Sequence, residues 1–155
     1  MTRAVAYVAL GANLGDAQHQ VREAIGWLAA LPGTRQVACS SLYRSAALDA
    51  PGPDFINAVV ALETELQPLE LLAALQALER RAGRLRPYPA APRTLDLDLL
   101  LHGHTRCDSA VLQLPHPRLQ QRAFVLRPLH EIAPQLVEPP WLEAVRDQAI
   151  ERLAE

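Results

Sequence analysis

Two acidic residues lie two positions apart in a segment that otherwise has the pattern of a buried strand. The segment PRTLDLDLLLHG covers residues 92–103 and places Asp96 and Asp98 between leucines. Because side chains alternate between the two faces of a strand, the leucines would point one way and both carboxylates the other. Aspartate is disfavoured in strands, so two of them in one strand call for a compensating interaction.

This acid pair, Asp96 and Asp98, has the spacing of a cation site. Residues i and i+2 of a strand lie roughly 6.5 to 7 Å apart, and the two ions of a two-metal site lie about 3.5 to 4 Å from each other. Mg²⁺ accepts one or two carboxylates and takes its other ligands from water and phosphate oxygens. The alternative is a pair of polar residues on the solvated face of a strand, with no function. The pair is therefore a candidate metal site that would act together with a phosphate-bearing substrate.

Arginines are concentrated directly before the acid pair. The chain has no lysine, and five of its 15 basic residues lie between positions 80 and 93. Arg80 and Arg81 fall at the end of a predicted helix, where positive charge favours the helix dipole, and they need no further role. Guanidinium groups bind phosphate oxygens in a bidentate manner. We expect the three arginines in the proline-rich loop after Gly83 to bind phosphate, namely Arg84, Arg86 and Arg93.

Apolar patterns predict the elements that would position these residues. Strands are predicted over residues 4–10, 35–44, 55–66 and 95–101. Helices are predicted after Asp16 to about residue 31, over residues 68–83, and at the C-terminus over residues 141–155. The order strand, helix, strand, strand, helix, strand is that of a split βαβ or ferredoxin-like domain. The sequence thus predicts an α+β fold.

Length, composition and charge narrow the class of protein. A chain of 155 residues that is 50% hydrophobic is long enough to bury a full core, and we expect one domain over residues 1–155. A net charge of −2 argues against a general nucleic-acid binder. No apolar run approaches the roughly 18 to 20 residues that span a bilayer, and the N-terminus has no signal pattern. We therefore expect a cytoplasmic protein with neither a membrane nor a nucleic-acid partner, and we expect it to be a monomer.

Four sequence blocks together strongly resemble 6-hydroxymethyl-7,8-dihydropterin pyrophosphokinase of folate biosynthesis. The blocks are GANLGD, PDFINAVVALET, PRTLDLDLLL and LPHPRLQQRAFVLRPLHEIAP, and the resemblance runs over nearly the whole chain. It implies a ferredoxin-like αβα sandwich with a mainly antiparallel sheet. It also implies transfer of a pyrophosphoryl group from the co-substrate ATP to the hydroxymethyl oxygen of the pterin, with release of AMP and with two Mg²⁺ ions as cofactors.

The resemblance assigns roles to individual residues. Asp96 and Asp98 look like the ligands of two Mg²⁺ ions, and with Arg84 and Arg93 they form the expected catalytic group. Expected nucleotide contacts are Leu72, Gln76, Glu79, Arg84, Arg86, Arg93, His116 and Arg122. Expected pterin contacts are Ser45, Ala46, Leu48, Phe55, Asn57 and Phe124. The two phenylalanines would stack on the flat ring, and the Asn57 amide would meet its hydrogen-bonding edge.

Departures from the family pattern leave other interpretations open. Two loops look shorter than is usual in the family, and YPAAP stands where many members have a tryptophan that closes over the pterin. The alternative is a divergent paralogue that keeps the fold and nucleotide binding but works as a binding protein with weak or altered activity. A ferredoxin-like nucleic-acid binder ranks last, because the chain lacks both surplus positive charge and aromatic-studded strands.

Overall fold

A computed structural model describes most of the chain, and its described residues are 3–47, 52–83 and 95–154. Four of the predicted site residues lie outside these ranges, namely Leu48, Arg84, Arg86 and Arg93. Among the described ranges, none of the helices combines the length and the apolar character needed to cross a membrane.

One antiparallel sheet forms the centre of the molecule. Its strands are β1 (Ala4–Ala12), β2 (Thr34–Cys39), β3 (Tyr43–Ser45), β4 (Phe55–Thr64), β5 (Asp96–His102) and β8 (Ile150–Arg152). The order across the sheet is β5-β1-β4-β3-β8, and β2 also pairs with β4. A separate two-stranded ribbon consists of β6 (Cys107–Asp108) and β7 (Gln113–Leu114). The helices are α1 (Ala17–Ala29), α2 (Pro68–Gly83), α3 (Ala123–Ile132) and α4 (Pro139–Ala144).

Helices pack on both faces of the sheet, and the core has two parts. On one face α1 and α2 bury leucines and valines, such as Leu28 and Leu75, against alternate residues of β1, β4 and β5. On the other face α3 buries Leu126 and Leu129 against the intervening residues. The strands therefore read as almost continuously apolar because both of their faces are covered. The predicted α+β class with a mainly antiparallel sheet is confirmed.

The predicted strand over residues 35–44 is wrong in its continuity. The structure divides it into β2 and β3, with a break at Ser40–Leu42. At the break, the Ser41 N–H and hydroxyl both donate to the Glu131 carboxylate of α3, at 3.1 Å, so the Ser41 N–H is taken by a side chain instead of a strand partner. Local propensity cannot reveal this break, because the residue that causes it lies on a distant helix.

The predicted C-terminal helix over residues 141–155 is also wrong beyond its first turn. Helix α4 ends at Ala144, and the chain then returns to the sheet, where β8 pairs with β3. The Leu153 N–H donates to the Leu42 carbonyl at 2.9 Å. Ile150 packs against the α3 side of the core and Leu153 against the other side. These contacts outweigh the helix propensity of the residues.

Candidate active site

The acid pair lies on one face of strand β5. The register with β1 is regular over this stretch, with Asp96 opposite Gly11 and Asp98 opposite Ala9. The leucines on either side of Asp98 point into the α1 and α2 side of the core, whereas Ala9 packs on the α3 side. Both carboxylates therefore face the α3 side, which confirms the prediction that they share a face. Asp96 is exposed and Asp98 is half-buried.

A hydrogen bond to β5 places His116 beside this pair. Leu100, two residues after Asp98, packs on the α3 side of the core, and the register with β1 shifts between Leu99 and Leu101. The outward-pointing carbonyl of Leu100 accepts a hydrogen bond from the His116 N–H at 3.0 Å. The Arg118 N–H donates to His116 Nδ1 at 3.2 Å, so in the neutral ring the hydrogen is on Nε2. His116 is thereby docked on the outer edge of the strand that carries Asp98.

Charges around His116 link it to its neighbours. Burial lowers the pKa of His116, the nearby Asp98 carboxylate opposes this change, and the positive charges of Arg122 and Arg118 lower that pKa further. A neutral imidazole therefore lies next to both a carboxylate and two guanidinium groups. This is an environment suited to a polyanion that interacts with all of these groups at once.

A cleft of about 380 Å³ runs along the edge of β5, and we call it the edge cleft. Its walls are α2 through Leu72, β5 through Asp98, and the segment 109–117, which includes His116. A volume of this order is within the range of small-molecule sites. Two residues expected at the nucleotide, Leu72 and His116, therefore line one cleft together with Asp98, an expected Mg²⁺ ligand.

The two other predicted nucleotide contacts on α2 differ from each other. Gln76 is exposed. The Glu79 carboxylate accepts a hydrogen bond from the Leu97 N–H at 2.9 Å, and Leu97 lies between the two aspartates in the chain. Glu79 thus fixes the backbone that carries the acid pair. Sequence reasoning placed Glu79 on one helix face with Leu72 and Gln76 but missed this bond, because a side-chain to backbone contact leaves no periodic signal.

Gly11 makes room beside the acid pair on the same face of the sheet. Gly11 lies between Asp96 and Asn57 in the strand register. A Cβ at position 11 would lie 3.5 Å from the Asn57 Oδ1 and 3.7 Å from the Phe55 ring. The missing side chain therefore leaves a small open floor between the acid pair and Asn57.

A buried amide and the Phe55 ring border this floor, and a second ring, that of Phe124, belongs to the first turn of α3. Asn57 is 2% exposed, and its Nδ2 donates to the Ser45 Oγ at 2.8 Å, which orients the amide. Phe55 and Phe124 are both half-buried, and the Arg122 guanidinium lies 5.3 Å from the centre of the Phe124 ring. Ala46 follows Ser45 and is exposed. Rings that keep an accessible surface are suited to stacking on a flat ligand.

Glu131 holds the β3 side of this region in place, and sequence reasoning did not find it. The Tyr43 hydroxyl donates to the Glu131 carboxylate at 2.7 Å, in addition to the bonds from Ser41. Burial, this hydrogen bond and the negative charge of Glu131 raise the pKa of Tyr43 to about 12. Burial alone would raise the pKa of Glu131, but the hydrogen bonds from Tyr43 and Ser41 bring it below its ordinary value. The network joins α3 to the strand that carries Ser45.

The acid pair fits magnesium only in combination with a substrate. Within residues 3–47, 52–83 and 95–154, no three histidine, cysteine or acidic side chains are grouped so as to hold a metal ion by themselves. Two carboxylates on one face, one exposed and one at a cleft, match the sparse protein ligation that Mg²⁺ tolerates when phosphate and water complete its shell. The donor set therefore fits magnesium brought together with a polyphosphate.

Comparisons with known proteins identify the family. A Pseudomonas aeruginosa protein named 2-amino-4-hydroxy-6-hydroxymethyldihydropteridine pyrophosphokinase is 50% identical over 134 residues, which cover 86% of this chain and 83% of that protein. A Synechocystis protein of the same name is 47% identical over 134 residues, 86% of this chain and 69% of that protein.

Solved structures share the fold. Plasmodium falciparum HPPK-DHPS with pteroate superposes with a TM-score of 0.71 at 11% identity, over 97% of this chain and 46% of that one. The chain spans less than half the length of the solved chains it matches. The family model for 7,8-dihydro-6-hydroxymethylpterin-pyrophosphokinase (HPPK) matches residues 7–134. This chain therefore belongs to the 7,8-dihydro-6-hydroxymethylpterin-pyrophosphokinase family.

Proposed function

We propose that this protein transfers pyrophosphate from ATP to the hydroxymethyl group of 6-hydroxymethyl-7,8-dihydropterin and releases AMP, as a step of folate biosynthesis. Four relatives that carry the pyrophosphokinase name are 44–50% identical over most of the chain. This level of identity does not favour the alternative of a divergent paralogue that only binds its ligands.

The observation that carries the proposal is the position of the acid pair between two different surroundings. On one side of Asp98 lies the edge cleft with His116. On the other side of the pair, past Gly11 opposite Asp96, lie Asn57 and the Phe55 ring. A nucleotide in the cleft and a pterin on the Gly11 floor would therefore meet at the two aspartates.

Each group of residues then has a separate task. Asn57 and the rings of Phe55 and Phe124 hold the pterin so that its hydroxymethyl oxygen points at the acid pair. His116 and Arg122 orient the phosphate chain. We also assign phosphate binding to the three loop arginines, Arg84, Arg86 and Arg93, and nucleotide contacts to Leu72, Gln76 and Glu79. The protein contributes positioning and charge, which suffice for phosphoryl transfer.

The reaction itself exchanges one phosphorus–oxygen bond for another. The hydroxymethyl oxygen of the pterin attacks the β-phosphorus of ATP and gives up its proton to solvent, and the bond from that phosphorus to the α,β-bridging oxygen breaks, so AMP leaves with the electron pair. Two Mg²⁺ ions held by Asp96 and Asp98 would supply charge neutralisation on the phosphate oxygens. Neighbouring charges in such a site interact strongly, about 4 kcal/mol for a unit pair at 4 Å and an effective dielectric constant near 20.

The finer features of the protein belong to the same proposal. The strand order supports a ferredoxin-like sandwich, because the first strand of the βαββαβ pattern, β1, lies next to its last strand, β5. We assign residues 1–155 to one domain, which acts as a monomer in the cytoplasm and binds small molecules only.

The experiment is a product assay with purified protein, ATP, Mg²⁺ and 6-hydroxymethyl-7,8-dihydropterin. We expect AMP and the pterin pyrophosphate in equal amounts, and no AMP when the pterin is omitted. ADP as the product would show a different phosphoryl transfer. Binding of ATP without any turnover would contradict the proposal and support the binding-protein alternative.

A further inference from the structure

One side chain from the C-terminal segment holds the backbone around Arg122. Gln148 Oε1 accepts a hydrogen bond from the Ala123 N–H at 2.9 Å, and Gln148 Nε2 donates to the Gln121 carbonyl at 2.9 Å. Arg122 is extended, with φ −129° and ψ 116°. In an extended residue the preceding carbonyl and the following N–H point to the same side, so one primary amide can bind both. Gln148 therefore acts on Arg122 as a paired strand would.

The Gln148 amide also caps the N-terminus of α3, which the Arg122 side chain does not. The first N–H groups of a helix have no partner within the helix, and the Arg122 side chain makes no capping bond at the start of α3. Gln148 satisfies the first of these donors, that of Ala123. The Arg122 guanidinium is left to lie over the Phe124 ring, 5.3 Å from its centre, and to act on His116. The position of this charge depends on the backbone that Gln148 fixes.

Gln148 is itself firmly placed. Its N–H donates to the carbonyl of Val145 at 3.0 Å, and Val145 is 5% exposed in the α3 side of the core. Two residues later β8 begins, and its Ile150 pairs with Ser45. The segment therefore joins the strand beside Asn57 to the start of α3. Gln148 lies outside residues 7–134, the span that the family model matches.

We propose that Gln148 is a positioning residue for the pyrophosphoryl transfer, because its amide sets the Arg122 backbone and so aims the guanidinium at the phosphate chain of the nucleotide. The inference rests on the proposed function of Arg122 as a nucleotide contact. Gln148 itself touches no substrate, and its effect passes through Arg122.

The test compares Gln148→Met with the wild-type protein. Methionine keeps the length of the side chain and removes both hydrogen bonds. We expect kcat/KM for ATP to fall about tenfold, since small displacements of an orienting group are costly in rate. Gln148→Glu keeps the acceptor for Ala123 but places a carboxylate oxygen against the Gln121 carbonyl, which is also an acceptor, so a loss is again expected. Gln135→Met, an exposed glutamine in a turn at the other end of α3, is the control and should retain wild-type values.

A double-mutant cycle separates positioning from a general structural effect. In an Arg122→Ala background, we expect Gln148→Met to change kcat/KM for ATP less than twofold, because the group that it aims is absent. Full multiplication of the two losses would overturn the proposal, as would wild-type kcat/KM in Gln148→Met. Should Gln148→Met not fold, the same cycle with Gln148→Glu decides the question by the same criterion.

Failure of the proposed function would look different. A wild-type protein that forms no AMP refutes the activity, and the affinity for Mg²⁺-ATP then replaces kcat/KM as the readout of the cycle. An active wild-type protein whose Gln148 variants show no loss refutes only the positioning role.

Discussion

The two faces of the sheet differ in how completely they are covered. The face against α1 and α2 is apolar over most of the length of the strands, with residues such as Leu28 and Leu75 fully buried. The face against α3 is apolar only under the helix. Beyond the start of α3, the same strands present Gly11, Asn57 and the acid pair.

This difference separates stability from chemistry within one sheet. Alternate residues of β5 serve the two purposes, since Leu97 and Leu99 enter the core while Asp96 and Asp98 remain on the other face. A strand that is anchored on one face holds the side chains of its other face at fixed spacing. The first face therefore supplies the rigidity that the second one needs for function. Substitutions on the α3 face should lower activity and leave stability unchanged, whereas substitutions on the α1 and α2 face should lower stability and leave activity unchanged.

Removing the charges of the acid pair should have the largest effect. We expect Asp96→Asn or Asp98→Asn to lower the rate of AMP formation about 10³-fold, because charge stabilisation of the phosphates is lost. The free energy of unfolding should change by less than about 0.5 kcal/mol, since neither side chain supports the core. Asp16→Asn is the matched control, because asparagine caps α1 as aspartate does. Wild-type turnover in both acid-pair variants would remove the metal assignment.

Truncation on the core face should give the reverse result. Leu75→Ala creates a cavity at a fully buried position of α2, and we expect a loss of about 3 kcal/mol in the free energy of unfolding, measured by urea titration. Leu69, on the same helix, is 59% exposed, and Leu69→Ala should cost less than about 0.5 kcal/mol. At urea concentrations well below its unfolding transition, Leu75→Ala should keep kcat within about threefold of the wild type. A far larger loss of kcat would show that the two faces are not separable.

Filling the Gly11 floor should affect binding without affecting the fold. A Cβ at this position meets its neighbours at ordinary contact distances, so Gly11→Ala should fold with equal or greater stability. The methyl group would occupy the proposed pterin floor, and we expect KM for the pterin to rise about tenfold, as one methyl group in a binding pocket can cost. Gly26→Ala in α1 meets nothing within 4 Å and serves as the control. An unchanged KM would place the pterin elsewhere.

The smallest expected effect concerns the network that joins α3 to β3. The pKa of Tyr43 is raised from 10.0 to about 12, so between these values the unfolded chain releases this proton while the folded protein retains it. Stability from this group is therefore complete below pH 10 and is lost as the pH rises towards 12. Because the chain contains no lysine, no lysine titration overlaps with this window.

Chemical denaturation of Tyr43→Phe between pH 8 and 12 tests this expectation. At pH 8 we expect a loss of about 1 kcal/mol from the missing hydrogen bond to Glu131. Towards pH 12 the difference from the wild type should shrink, because the wild type alone loses the contribution of the shifted pKa. A constant difference over the whole range would show that Tyr43 titrates alike in both states.

The sequence was sufficient to predict what depends on local periodicity. The alternation in residues 95–101 predicted the shared face of Asp96 and Asp98, and the structure confirms it. The interruption at Ser40–Leu42 was not predictable, because it depends on Glu131, which is 90 residues away from Ser41. Strand β8 was missed because its residues favour a helix and only pairing with β3 makes them extended.

The residues of the candidate site also differ in whether local sequence patterns could predict them. The acid pair follows from strand spacing alone. His116 and Phe124 came from the resemblance to a family, since a histidine between prolines and a phenylalanine in an apolar segment have more common structural explanations. Gln148 and Glu79 act through hydrogen bonds between their side chains and the backbone of distant segments, and no sequence pattern predicts such bonds.

The division of the second strand has an evolutionary consequence. Strand β4 is continuous, but it pairs with β2 near Thr64 and with β3 near Phe55. An insertion or deletion after Ser45 would shift only the short β3 segment, because the break prevents the change from passing into β2. Changes in the loop after Ser45 can thus alter the shape of the proposed pterin site, and so the ligands that related proteins accept, with little effect on the stability of the sheet.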